Sequence, residues 1–174
     1  MVRASGLSWD LRKTEPYDVY SKLNYKIVVS NSGIGDCYER FKVRIGELRQ
    51  SLNIMELCLS NIQSGITKAT NNKISNKNRS IIKNDMESLI QHFKIYSGGF
   101  LVPEGKTYVA TEAPKGEFGV FLMSDGSNKV FRAKIKAPGL LHLQGLDFMV
   151  RNHLMADVVT VIGTQDIVFG EVDR

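Results

Sequence analysis

The segment Gly163–Arg174, GTQDIVFGEVDR, holds the side chains best suited to chemistry. Asp166, Glu171 and Asp173 alternate there with Ile167, Val168 and Phe169, and Gly163 and Gly170 flank the apolar run. A chain end is usually frayed and polar. Apolar side chains set among carboxylates point instead to a tail tucked into a pocket. Taken alone, the stretch fits a last strand pinned to a sheet edge more simply. The carboxylates have no histidine or cysteine companions, so a transition-metal site is not indicated. His92, His142 and His153 lie far apart on helical segments, as structural or surface histidines do. No nucleophile–base pair is visible, and the glycines, Ser97–Gly99 included, match neither a phosphate loop nor a dinucleotide fingerprint. No catalytic residue and no metal ligand is assigned.

The elements that must position this tail are legible from periodicity. Residues 1–35 read as irregular, punctuated by Gly6, Pro16, Gly33 and Gly35, with a short strand over Lys26–Ser30. Asp36, three residues before Glu39, has the spacing of a capping box. The apolar Tyr38, Phe41, Ile45, Leu48, Leu52, Met55, Leu59 and Ile62 then recur at alternating steps of three and four. That spacing predicts a bundle-type helix over Asp36–Ile62, about 40 Å long at 1.5 Å per residue. Such a helix needs long partners. A second helix is predicted over Arg79–Ile95, with Ile82, Met86, Leu89, Ile90 and Phe93 on one face and Gly98–Gly99 as its stop. Two helices make half a bundle, so the chain is expected to pack against helices it does not contain.

Beyond Lys106 the period changes to two. Strands are predicted over Tyr108–Thr111, Glu117–Met123 and Val130–Lys136, the last half-buried with Arg132, Lys134 and Lys136 on a basic outer face. Helices over Leu140–Val150 and Leu154–Ile162 follow, with Gly163 as the stop before the tail. The fold class is therefore α+β: long bundle helices, a small antiparallel sheet and a helical or extended C-terminal tail. Its regions are 1–35, a helical portion over 36–99 with an Asn/Lys-rich loop over 68–84, a β region over 100–139, and short helices with the tail over 140–174.

Composition narrows the classes. At 174 residues and 43% hydrophobic, one domain with a moderate core is possible. No run approaches the roughly 18 apolar residues of a membrane helix, and MVRASGLSWDLRK lacks a secretory apolar core. Cys37 and Cys58 form no CxxC pair and suit a reducing compartment. The net charge is +5, and the basic stretch Lys68–Lys83 has no aromatic residue to stack a base, so it reads as a solvated loop and no nucleic-acid partner is expected.

Five stretches carry a resemblance: WDLRKTEPYDVY (9–20), GDCYERFKVRIGELRQSL (35–52), MESLIQHFK (86–94), EAPKGEFGVFLMSDGS (112–127) and ADVVTVIGTQDIVFGEVDR (156–174). In this order they resemble the hydrogenase-large-subunit-like, quinone-binding subunit of respiratory complex I, the family of mitochondrial NADH dehydrogenase subunit 7. The resemblance runs almost end to end but begins in the middle of the family pattern. It implies that a separate polypeptide supplies the missing N-terminal half, with the remaining bundle helices. The Asn/Lys-rich stretch departs most from the family.

The resemblance implies part of a nickel–iron hydrogenase large-subunit-like fold. Hydrogenases carry a DPCxxC motif at this tail; Asp166 matches its aspartate, while Val168 and Glu171 replace the cysteines, so no nickel–iron centre is expected. The vacated space implies a ubiquinone pocket. There Asp166 is an orienting or proton-linked group, Val168 and Phe169 touch the ring, and Gly170 permits close approach; Asp173 and Arg174 anchor the terminus in ion pairs. This chain alone binds no cofactor. Electrons come from an iron–sulphur cluster in the adjacent subunit, and ubiquinone is the substrate. The implied partners are that iron–sulphur subunit, other peripheral-arm subunits and the membrane subunit at the quinone entrance. The implied setting is the matrix side of the mitochondrial inner membrane, within a proton-translocating NADH:ubiquinone oxidoreductase. The alternative is a purely structural scaffold fragment of the same assembly.

Overall fold

The computed structural model describes residues 1–71 and 73–173. In chain order it contains α1 (Leu11–Thr14), α2 (Cys37–Asn61), α3 (Arg79–Asn84), α4 (Met86–Gly98), β1 (Gly105–Ala113), β2 (Gly116–Ser124), β3 (Val130–Lys136), α5 (Pro138–Val150), α6 (Met155–Gln165) and α7 (Phe169–Asp173), with 3₁₀ turns at Val2–Ser5 and Tyr20–Lys22. The strands form one sheet in the order β1-β2-β3, so the chain is α+β, helices plus a small antiparallel sheet. No helix among the described residues is long and apolar enough to cross a membrane.

The chain divides into two units. The first comprises Met1–Ile62, Val109–Val120 and Ile135–Arg174, and the second Gln63–Tyr108 and Phe121–Lys134.

In the first unit α2 forms where the heptad spacing predicts it. Asp36 caps it by accepting from the Glu39 backbone N–H at 2.7 Å, and Ile62 ends it. The reciprocal half of the capping box is absent, because the Glu39 carboxylate instead meets Ser30 and Lys42. The apolar stripe from Tyr38 to Ile62 is exposed throughout. What α2 buries is its opposite side, Glu39, Arg40 and Val43, roughly 160° around the helix at 100° per residue. Gly46 continues that side: a Cβ there would stand 2.7 Å from a Val28 methyl, so only glycine lets residues 26–30 lie against the helix. Lys26–Ser30 is held by this contact, by Gln50 and by Arg3, and is not the short strand its sequence predicts. Helix α6 packs on α2 and α5, and α7 packs on α5.

The half-buried guanidinium of Arg3 links several parts of this unit. Arg3 donates to Glu47 at 2.7 Å, to Glu112 at 2.8 Å and to the Trp9 carbonyl at 3.1 Å, with Asp10 at 3.9 Å. Burial opposes its charge, but the Glu47 and Glu112 carboxylates outweigh that and hold its pKa above the ordinary arginine value. Asp10 caps α1, and burial likewise loses there to the hydrogen bonds and charge of Arg12, which hold its carboxyl below the usual range.

In the second unit the helix predicted over Arg79–Ile95 is two helices. Asp85 leaves helical geometry and caps α4, accepting from Ser88 N–H at 3.1 Å, so a residue spaced as part of a helical face acts as a new start. Gly99, at φ 66°, closes α4 as expected. In the third strand Phe131 is 67% exposed, so its apolar face is uncovered rather than half-buried.

Candidate functional site

The end of α6 is where the site residues gather. Gly163 does not stop this helix; α6 runs through it to Gln165, and Asp166 closes it in the left-handed region at φ 58°. An aspartate tolerates that conformation better than most residues. Cations from α2 serve the carbonyl end of α6. Arg44 donates to the Thr164 carbonyl, and Arg40 donates to Thr164 Oγ1 at 3.2 Å, to Cys37 Sγ at 3.0 Å and to the Gly35 carbonyl at 2.5 Å.

Asp166 is clamped. Lys115 Nζ donates to its Oδ1, and Arg44 Nε stands 4.0 Å from Oδ2. Lys115 reaches it from the two-residue turn Pro114–Lys115 that joins β1 to β2. The preceding Gln165 is 1% exposed. Its Nε2 donates to the His142 carbonyl at 3.1 Å, while its Oε1 has no hydrogen-bond partner among the described residues. His142 Nδ1 is buried and also without a partner among them. Burial, then the positive charge of the Met1 amino group and, less, of Arg44, push the His142 pKa below the ordinary histidine value of 6.5.

Two cavities open beside these residues. One of about 340 Å³ is lined by Arg3, Trp9, Arg40, Val43, Lys115, Leu141, His142 and Gln165 among others. The other, about 360 Å³, is lined by Asp10, Arg12, Ile27, Val28, Arg44, Leu48, Pro114 and Asp166 among others. Each mixes apolar side chains with many charged ones, eight of nineteen lining residues in the first and eight of fifteen in the second, at a size suited to a small ligand.

Of the residues singled out in the tail, Asp166 lies on a cavity wall. Val168, Phe169 and Gly170 line neither of these two cavities. Val168 precedes α7, Phe169 and Gly170 begin it, and the Val168 carbonyl and Glu171 carboxylate lie over Gly139 of α5. Asp173 is exposed, and Arg174 lies outside the described residues. Sequence spacing missed Lys115, Arg44, Gln165 and His142. The only signal for Lys115 and Gln165 was that they sit inside the EAPKGEFG and GTQD stretches.

No three His, Cys, Asp or Glu side chains converge as a metal site among the described residues. The chain has two cysteines, fewer than the four thiolates that usually hold an iron–sulphur cluster. Fold and site thus define an α+β chain whose described residues form two charged cavities, one of them walled in part by the clamped Asp166.

The chain belongs to the family of the respiratory-chain NADH dehydrogenase 49 kDa subunit, which matches residues 1–174. It is 58% identical over 174 residues to the NADH-ubiquinone oxidoreductase 49 kDa subunit of Reclinomonas americana, covering all of this chain and 43% of that protein. It is 59% identical to the protein of the same name from Pylaiella littoralis, again covering all of this chain and 43% of that protein. With the NADH dehydrogenase [ubiquinone] iron-sulfur protein 2 of Arabidopsis thaliana it shares 58% identity, over all of this chain and 44% of the other. The chain thus spans less than half the length of these relatives.

Proposed function

We propose that this chain forms part of the wall of a quinone-reduction pocket in a complex I-type NADH:ubiquinone oxidoreductase and is not catalytic alone. The observation that carries the reading is Asp166: the tail's one carboxylate on a cavity wall, held by Lys115 and Arg44 beside apolar side chains. Reduction of a quinone to a quinol takes up two electrons and two protons. The electrons come from an iron–sulphur cluster in a neighbouring subunit; this chain orients the ring and places charge beside its oxygens. Asp166 is the orienting or proton-linked group, Val168 just before α7 and Phe169 at its start touch the ring, and Gly170 permits close approach. Asp173 and Arg174 hold the terminus.

The covering for α2 is a set of partner helices from the part of the family's sequence outside this match. The whole adopts a hydrogenase-large-subunit-like fold in the peripheral arm, on the matrix side of the mitochondrial inner membrane. The exposed heptad stripe on α2 supports this partner.

The test is Asp166→Asn in the assembled complex, which removes the charge and keeps the volume. Quinone reduction falls while NADH oxidation by an artificial acceptor, reduced upstream of the pocket, continues. Unchanged quinone kinetics and inhibitor sensitivity would sink the assignment. A second reading, a structural scaffold, is favoured by the absence of Val168, Phe169 and Gly170 from the two cavity linings. It requires Asp166→Asn to change assembly alone.

A further inference from the structure

The two cavities share Arg3, Arg44, Glu47, Glu112 and Pro114, and an ion pair links a side chain of one to a side chain of the other. Lys115 lines the first cavity and not the second, whereas its partner Asp166 lines the second and not the first; Arg44 lines both. Gln165 and Asp166 are consecutive yet belong to different cavities. The left-handed turn at Asp166 separates these neighbouring side chains.

Lys115 is placed independently of the carboxylate it holds. Pro114 before it has a ring-fixed φ. Gly116 after it has a φ of 139°, where a side chain is strained, and a Cβ there would also come within 3.2 Å of the Pro138 Cβ. The hairpin turn therefore fixes the backbone from which the lysine's flexible stem reaches the carboxylate. Asp166, at a helix end in a conformation that carboxylate residues only tolerate, is the member of the pair that must be held.

We infer that Lys115 is a positioning residue of this site: it acts through Asp166, fixing the carboxylate on the wall of the second cavity and so setting how a ring-bearing ligand fits against it. The inference rests on the quinone reading above and adds the residue that sets the geometry. Lys115 touches no reacting atom. Its removal loosens ligand binding more than it slows the step that follows.

The experiment uses the assembled complex carrying Lys115→Met, Lys115→Arg, Asp166→Asn or the double variant Lys115→Met/Asp166→Asn. KM and kcat are measured with a short-chain ubiquinone, sensitivity with piericidin, and NADH oxidation with an artificial acceptor as the control. Lys115→Met raises KM and the inhibitory concentration by about fivefold, the effect of losing one partly exposed ion pair, with kcat and the control little changed. Lys115→Arg restores most of the loss. The double variant is no worse than the more affected single variant, because both remove one interaction. If Asp166→Asn impairs quinone kinetics while Lys115→Met does not, or if the two effects multiply, the positioning role is overturned and the quinone reading stands. If neither variant alters quinone kinetics, the quinone reading itself falls. Should Lys115→Met fail to assemble, Lys115→Gln carries the same test with the same deciding outcomes.

Discussion

Truncating the stripe of α2 tests whether it is a face covered by a partner, as proposed, by comparison with the face packed within the chain. Leu48 is 61% and Leu52 62% exposed, whereas Val43 on the other side of the helix is 7% exposed. Fully burying a leucine contributes about 1.5–3 kcal/mol, so covering the exposed remainder of either one contributes about 1–2 kcal/mol by area. Truncation in a closed seam also leaves a cavity, which brings the cost of Leu48→Ala or Leu52→Ala to about 2–5 kcal/mol. That corresponds to a weakening of roughly 30-fold to several-thousandfold in affinity for the polypeptide that covers the stripe. In the chain without that polypeptide, the same changes stay within about 0.5 kcal/mol, as for other exposed sites. Val43→Ala should behave oppositely, costing about 1.5 kcal/mol or more in the chain itself. Native electrophoresis of the assembly and urea unfolding of the chain supply the two readouts, with Asn53→Ala, off the stripe, as a control. Near-normal assembly of both leucine variants would show that the stripe is a solvent face. A loss in the chain alone as large as that of Val43→Ala would show that it packs internally.

His142 should make stability depend on pH. Its folded pKa lies below 6.5, so the unfolded chain binds the proton first; the contribution is whole above about 6.5 and is lost as pH falls from there through the folded pKa. Denaturant midpoints across that window should show the slope, and His142→Gln should flatten it. Gly116→Ala should destabilise by about 1–3 kcal/mol, because a φ of 139° strains any side chain and Pro138 blocks the space; a thermal shift that matches the parent protein would refute the strain. Val168→Met keeps the position apolar and changes its shape, so the complex should assemble with a penalty of about 1–3 kcal/mol. Inhibitor titration then tells whether α7 reaches the ring: an unchanged titration curve assigns Val168 to packing alone.

Local signals carried much of this fold. The heptad of α2 and its Asp36 cap, the Gly99 stop of α4 and the period-two strands all depend on residues within one or two turns of each other, which is the range over which spacing informs. Errors arose where a side chain chose between two local roles. Asp85 lies inside a helical pattern but caps a new helix, and Gly163 resembles a stop although Asp166 performs that task. The site was legible in its carboxylate and not in its partners. Lys115 and Asp166 are separated by 51 positions, and no periodicity relates a hairpin turn to a helix end at that distance. Nor does spacing place Gln165 on one cavity and its neighbour on another; that depends on a single left-handed residue. The roles given to Val168, Phe169 and Gly170 came from the resemblance to a family, not from spacing.

The uncovered stripe of α2 also bears on the life of this chain in a cell. A row of leucines, isoleucines and aromatics in water is what chaperones retain and what proteases eventually clear. Until that row is covered, each new copy has a limited lifetime. Its abundance should therefore follow how quickly that row is covered more closely than its own rate of synthesis.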